Sequence, residues 1–176
     1  MRMTAILTAF AISAISHIAQ ANEDPLAPAK AGKLWCYEPN SENKTCNSFS
    51  RFEWDSAGTI WEEDEIAFSA DPLVSMKVKA TTTLEGASIC QVIAEETFRK
   101  AVFMVDGKPA TADEDMAYRE QYGSRFTSFY GKKFCVEISP YESIFITQVA
   151  IDGTPYPSAT SRLKWISANE GYRLAP

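Results

Sequence analysis

Four cysteines, Cys36, Cys46, Cys90 and Cys135, constrain this chain more than any other feature, because two cross-links among them would fix which distant segments lie side by side. The rival use of four thiolates is a zinc site. None of the spacings is the short C-x2-C or C-x4-C of structural zinc sites, so no metal is expected from them. Whether thiols oxidise depends on the compartment, and the first residues bear on that. Met1, Arg2 and Met3 make a short basic start, Thr4 to Ile18 is mostly apolar, and Ala19-Gln20-Ala21 has a small-x-small cleavage pattern. Ser13, Ser16 and His17 interrupt the apolar stretch, which is shorter than the ~20 residues of a spanning helix. Residues 1–21 therefore read as a secretory signal peptide. A periplasmic or secreted protein, not membrane-spanning after cleavage, is expected, with all four cysteines in two disulfides.

An internal echo selects the pairing. Cys90 leads through an extended stretch and a turn to Ala101-Val-Phe-Met-Val-Asp-Gly-Lys-Pro109, and Cys135 leads likewise to Thr147-Gln-Val-Ala-Ile-Asp-Gly-Thr-Pro155. Ala101, Phe103 and Val105 align with Thr147, Val149 and Ile151, one face of a period-2 strand. The echo makes Cys90 and Cys135 equivalent positions on neighbouring strands, which leaves Cys36 for Cys46.

Cleavage after Ala21 would also remove His17, the only histidine, and Arg2, taking the formal net charge from −6 to −7. Histidine-based nucleophilic, acid–base and zinc chemistry is then excluded within the chain. Nucleic acid is not an expected partner of so acidic a protein, whose adjacent basic residues are the pairs Arg99-Lys100 and Lys132-Lys133.

Residues 22–32 carry two prolines and little to bury, and read as a flexible lead-in to a single disulfide-stabilised domain over 33–176. Strand patterns recur at 34–38, 49–55, 59–61, 133–138, 144–151 and 162–167, and Val74, Met76, Val78 and Ala80 alternate cleanly with polar residues. One substantial helix is predicted at about 112–130. Thr111-Ala-Asp-Glu114 has capping-box form, Tyr118, Tyr122, Phe126, Phe129 and Tyr130 supply a buried stripe, and Gly131 stops it. The class is α+β, a mainly antiparallel sheet curled toward a partial barrel with the helix on one face.

Two groups of residues invite a functional reading. Glu62-Glu63-Asp64-Glu65 concentrates four acids after Trp61, but alternate residues of a strand face opposite ways and no calcium-loop spacing is present, so a solvated charged rim is expected. Asp113-Glu114-Asp115 is explained by the dipole of the helix it opens. The aromatic cluster Trp35, Tyr37, Phe52, Trp54 and Trp61 would make a carbohydrate or peptide groove if exposed and ordinary core if buried, and core is expected.

Leu34-Trp35-Cys36-Tyr37-Glu38-Pro39, Lys44-Thr45-Cys46, the two Asp-Gly strand ends and Lys164-Trp165-Ile166 together resemble a family of small exported proteins of proteobacterial type with paired cysteines and no assigned activity. The resemblance covers the chain from Gly32 onward and implies a periplasmic address, with no catalytic residue or cofactor to carry over. The expected function is an exported binding or envelope-interaction module without catalytic machinery, its partner a basic envelope protein or a cell-wall glycan. The alternatives are a histidine-free hydrolase that uses a carboxylate pair on cell-wall glycan and a structural envelope component.

Overall fold

The computed structural model describes residues 24–176, so the signal peptide expected over 1–21 lies outside the described residues. In chain order the elements are α1 (Ala27–Lys30), β1 (Leu34–Tyr37), β2 (Thr45–Cys46), β3 (Ser48–Trp54), β4 (Ile60–Ala70), β5 (Leu73–Glu85) and β6 (Ser88–Val92). Then follow α2 (Glu95–Arg99), β7 (Val102–Val105), β8 (Lys108–Pro109), α3 (Ala112–Thr127), β9 (Lys133–Tyr141), β10 (Ile144–Ile151), β11 (Thr154–Pro155), β12 (Ser161–Ile166) and β13 (Arg173–Leu174).

Eight of these strands close a barrel. β1, β3, β4, β5, β6, β9, β10 and β12 each pair antiparallel with the next in that order, and β12 returns to β1 with Trp35 opposite Trp165. The curled sheet expected from sequence is thus a closed one, which leaves its eight strands no open edge in the ring. Both disulfides take the expected pairing, Cys36 with Cys46 at a Cα separation of 5.3 Å and Cys90 with Cys135 at 4.1 Å. Cys90 and Cys135 stand directly opposite each other on β6 and β9.

The connection from β6 to β9 leaves the ring and folds back on it. β5 is long enough to carry β7 against Val74–Lys77 and β6 against Thr83–Glu85 on the same side. The β7–β8 hairpin therefore extends the wall, and α3 lies over it. The capping box between Thr111 and Glu114 is formed, and the helix ends at Thr127, one turn before the expected stop. Tyr118, Tyr122 and Phe126 pack with Phe98, Phe103, Val74 and Met76, whereas Phe129, beyond the helix, turns to Phe134. Arg119 pins the helix down: it grips Asp115 with two hydrogen bonds, 2.7 and 3.1 Å, and donates to the carbonyls of Phe98 and Ala101.

The core divides between the two ends of the barrel. At one end Trp35, Phe52, Ile89, Leu163 and Trp165 pack with Leu26 and Ala29. Leu26 is 0% and Ala29 6% exposed, so the lead-in expected to be flexible is docked from Asp24 onward, these two apolar side chains sealing this end. At the other end Ile66, Phe68, Val74 and Met76 meet the aromatic face of α3.

The echo between the two Asp-Gly segments is reproduced in the hairpins and not in the cysteines. Asp106 and Asp152 both have positive φ, 49° and 50°, each followed by a left-handed glycine, as a two-residue type I′ turn requires. Each aspartate also caps the adjoining strand: the backbone N–H groups of Leu73 and Lys133 donate to the Asp106 and Asp152 carboxylates at 3.0 and 2.9 Å. The strand paired with β7 is β5, however, and the strand paired with β10 is β9. Cys135 therefore corresponds to Ser75, and the cysteine equivalence inferred from the alignment does not hold. The disulfide forms because β6 and β9 are neighbours.

Candidate functional site

Inward positions of a closed eight-stranded barrel meet near its axis, where there is room for side chains or for one small guest. Between the two packed ends lies a cavity of about 280 Å³. β1 contributes Trp35 and Tyr37, β3 Ser48, β4 Glu62, Asp64 and Ile66, β6 Ile89 and Gln91, β9 Phe134 and Val136, and β12 Ser161. Trp35, Glu62 and Ile89 are buried, whereas Ser48, Ile66, Gln91, Phe134 and Ser161 are partly exposed. The cavity therefore has its floor on the Trp35 core and its mouth beside the end that α3 covers.

The acidic run of β4 divides between two faces. Glu63 and Glu65 point outward, Glu65 pairing with Lys77 and accepting from Ser75, but Glu62 and Asp64 line the interior. This corrects the expectation of a solvated rim for half of the run. Alternation was legible, but which alternate set faced inward depended on closure of the ring. Glu62 is only 5% exposed and accepts a hydrogen bond from Thr82 at 2.8 Å, while Ser50 gives its one hydroxyl proton to Asp64.

Burial raises the Glu62 carboxyl well above the ordinary carboxylate range, and the charge of Asp64 adds to it, against the hydrogen-bonding pull of Thr82. Asp64 is pushed up to about 6 by burial, opposed by the Ser50 hydrogen bond and reinforced by Glu63. Burial, and then the two carboxylates, likewise hold the Tyr37 hydroxyl well above its usual value. Among the described residues, none that lines the cavity carries a positive charge. Trp35, on the floor and 1% exposed, has an indole N–H without a hydrogen-bond acceptor among the described residues.

The five aromatic residues singled out in the sequence separate. Trp35 and Phe52 are core, in edge-on contact at 4.8 Å; Tyr37 lines the cavity with Trp35; and Trp54 packs at the sealed end beneath Lys30. Trp61 is on the outer face, where its indole N–H donates to Asp55 and Lys79 lies over its ring at 5.7 Å. Glu85 stands close to the Cys90 and Cys135 sulfurs, but those are joined to each other and Glu85 is paired with Lys133 at 2.6 Å. Among the described residues no helix is long and apolar enough to cross a membrane. No family model, curated protein or solved structure matches the chain.

Proposed function

We propose that this chain is an exported binding module that holds a small ligand inside its barrel. The observation that carries the reading is the interior cavity of about 280 Å³, where rings and aliphatic side chains share the wall with Glu62, Asp64, Tyr37, Gln91 and two serines. Convergent polar groups in a mostly apolar hollow are the usual make-up of a small-molecule site. A cell-wall glycan or a basic protein would engage it only through a group small enough to enter the mouth.

Glu62 and Asp64 are successive inward residues of one strand, so they address a guest from the same wall. Glycoside hydrolysis needs two carboxyls flanking the scissile bond, and this arrangement favours binding over the hydrolase reading. The test is a small-molecule screen read by the backbone and indole NMR signals of the protein. Compounds that shift Trp35 and Val136 in the native chain, and lose that effect when Gln91→Trp fills the mouth, are the expected result. A screen in which every hit acts equally on the Gln91→Trp variant would overturn the reading.

A further inference from the structure

We infer that the barrel interior takes a small organic ammonium ion, its charge beside Glu62 and Asp64 and its apolar body against Trp35, Tyr37 and Phe134. The inference rests on the interior-binding reading above and specifies its ligand.

Among the described residues Glu62 and Asp64 each receive a single hydroxyl donor, Thr82 for Glu62 and Ser50 for Asp64. A carboxylate has acceptor capacity for several more. The elements facing them bring no counter-charge: β1 offers Tyr37, β3 offers Ser48 and Ser50, β5 offers Val78, Ala80 and Thr82, and β6 offers Gln91. Two acids enclosed without a cation are costly in their charged form. A guest that supplies the cation removes that cost and gains two charge-assisted hydrogen bonds.

The rings decide what kind of cation. A hard metal ion seeks six or more oxygens, whereas Trp35, Tyr37 and Phe134 offer π faces and apolar area, which suit an ammonium group on a hydrocarbon body. Trp35 stands at the floor of the same interior, and its N–H, which has no acceptor among the described residues, serves as the reporter of a guest packed beside the ring.

The experiment titrates the oxidised native chain with benzylamine, benzyl alcohol and benzoate, three probes of nearly one shape and different charge, following the Trp35 indole N–H signal. At pH 7.5 benzylamine is expected to bind at least tenfold more tightly than benzyl alcohol, with benzoate silent. Glu62→Gln and Asp64→Asn should each weaken benzylamine about tenfold and benzyl alcohol by much less, so that the preference for the amine falls, their folding verified by the dispersion of the same spectra. Lowering the pH to 4.5, where both carboxyls are neutral, should erase the preference. Equal binding of amine and alcohol by the native chain overturns the ammonium assignment and leaves interior binding standing. So does an amine preference that survives both substitutions. Silence of all three probes at millimolar concentration also overturns it, and the broader reading falls as well only if the screen with Gln91→Trp finds no interior ligand.

Discussion

Glu62 is the residue on which the interior chemistry turns. Its carboxyl is 5% exposed, bonded to Thr82, and among the described residues that line the cavity it meets no cation. Because burial raises its pKa in the folded state, the protonated form is the one that folding favours, and the charged form at neutral pH works against stability. Glu62→Gln keeps an oxygen for Thr82 and removes the charge. It should stabilise the free protein by roughly 1–2 kcal/mol at pH 7.5 and leave it unchanged near pH 4, as read from urea unfolding; a loss of stability at pH 7.5 would show that the carboxylate is compensated in the free protein. The residue was visible in the sequence only as one of four consecutive acids. A period of two separates Glu62 and Asp64 from Glu63 and Glu65, but no local signal says which pair is inside, because every strand of the ring must close before there is an inside. The aromatic residues show the converse: Trp35 and Phe52 behave as the core their chemistry suggests, and Trp61, one register away from the inward set, is carried to the outer face with Lys79.

Elements were more legible than residues where a signal is local. The Thr111–Glu114 capping box and the tyrosine stripe located α3, and two Asp-Gly pairs located two hairpins, because caps and type I′ turns depend on a few neighbouring residues. The pairing of those hairpins was not legible, since β7 finds β5 across an intervening strand and helix. Each turn aspartate does two things, adopting positive φ and capping the next strand, and asparagine can do both. Asp152→Asn should be nearly neutral and Asp152→Ala should cost about 1 kcal/mol in chemical denaturation. At α3, Arg119 holds one carboxylate and two carbonyls with a planar fork that lysine lacks. Arg119→Lys should cost about 1–2 kcal/mol and loosen the helix first, seen as faster amide exchange over 112–127 than in the barrel. The two disulfides should separate in effect as well. Cys36–Cys46 belongs to a cluster with Leu34, Phe49, Ile166 and Tyr172, whereas Cys90–Cys135 joins the strands that carry Ile89, Gln91, Phe134 and Val136 to the cavity. Replacing each pair with serines should cost about 3 and about 4 kcal/mol respectively, and only loss of the second should weaken binding of an interior ligand.

At the scale of the whole molecule, the barrel is packed at its two ends and encloses two acids in the mostly apolar hollow between them, and this arrangement makes stability depend on pH in an unusual direction. Most small acidic proteins gain stability as their carboxylates ionise, since partners in the folded state hold those pKa values low. Asp24 follows that rule through Lys30, as does Glu170 through the backbone of Ser167; their contributions are present at neutral pH and are lost as the pH falls through the folded pKa. The interior pair does the opposite. A carboxyl whose folded pKa is raised contributes stability that is fully present below its unfolded pKa and is lost as the pH rises through the folded value. For Asp64 that window runs from its ordinary value near 3.8 to about 6, with no more than about 3 kcal/mol at stake, and Glu62, raised as well, adds in the same sense. The free protein should therefore melt highest near pH 5, where the interior acids are largely protonated and the surface pairs are still charged, and lower at pH 7.5. The double variant Glu62→Gln, Asp64→Asn should lose the decline between pH 5 and pH 7.5 while keeping the fall below pH 4, both read from calorimetric melts across that range. A native curve that rises steadily from pH 5 to pH 7.5 would mean that the interior carboxylates are already matched by charge or water, and would remove the reason for a cation to enter.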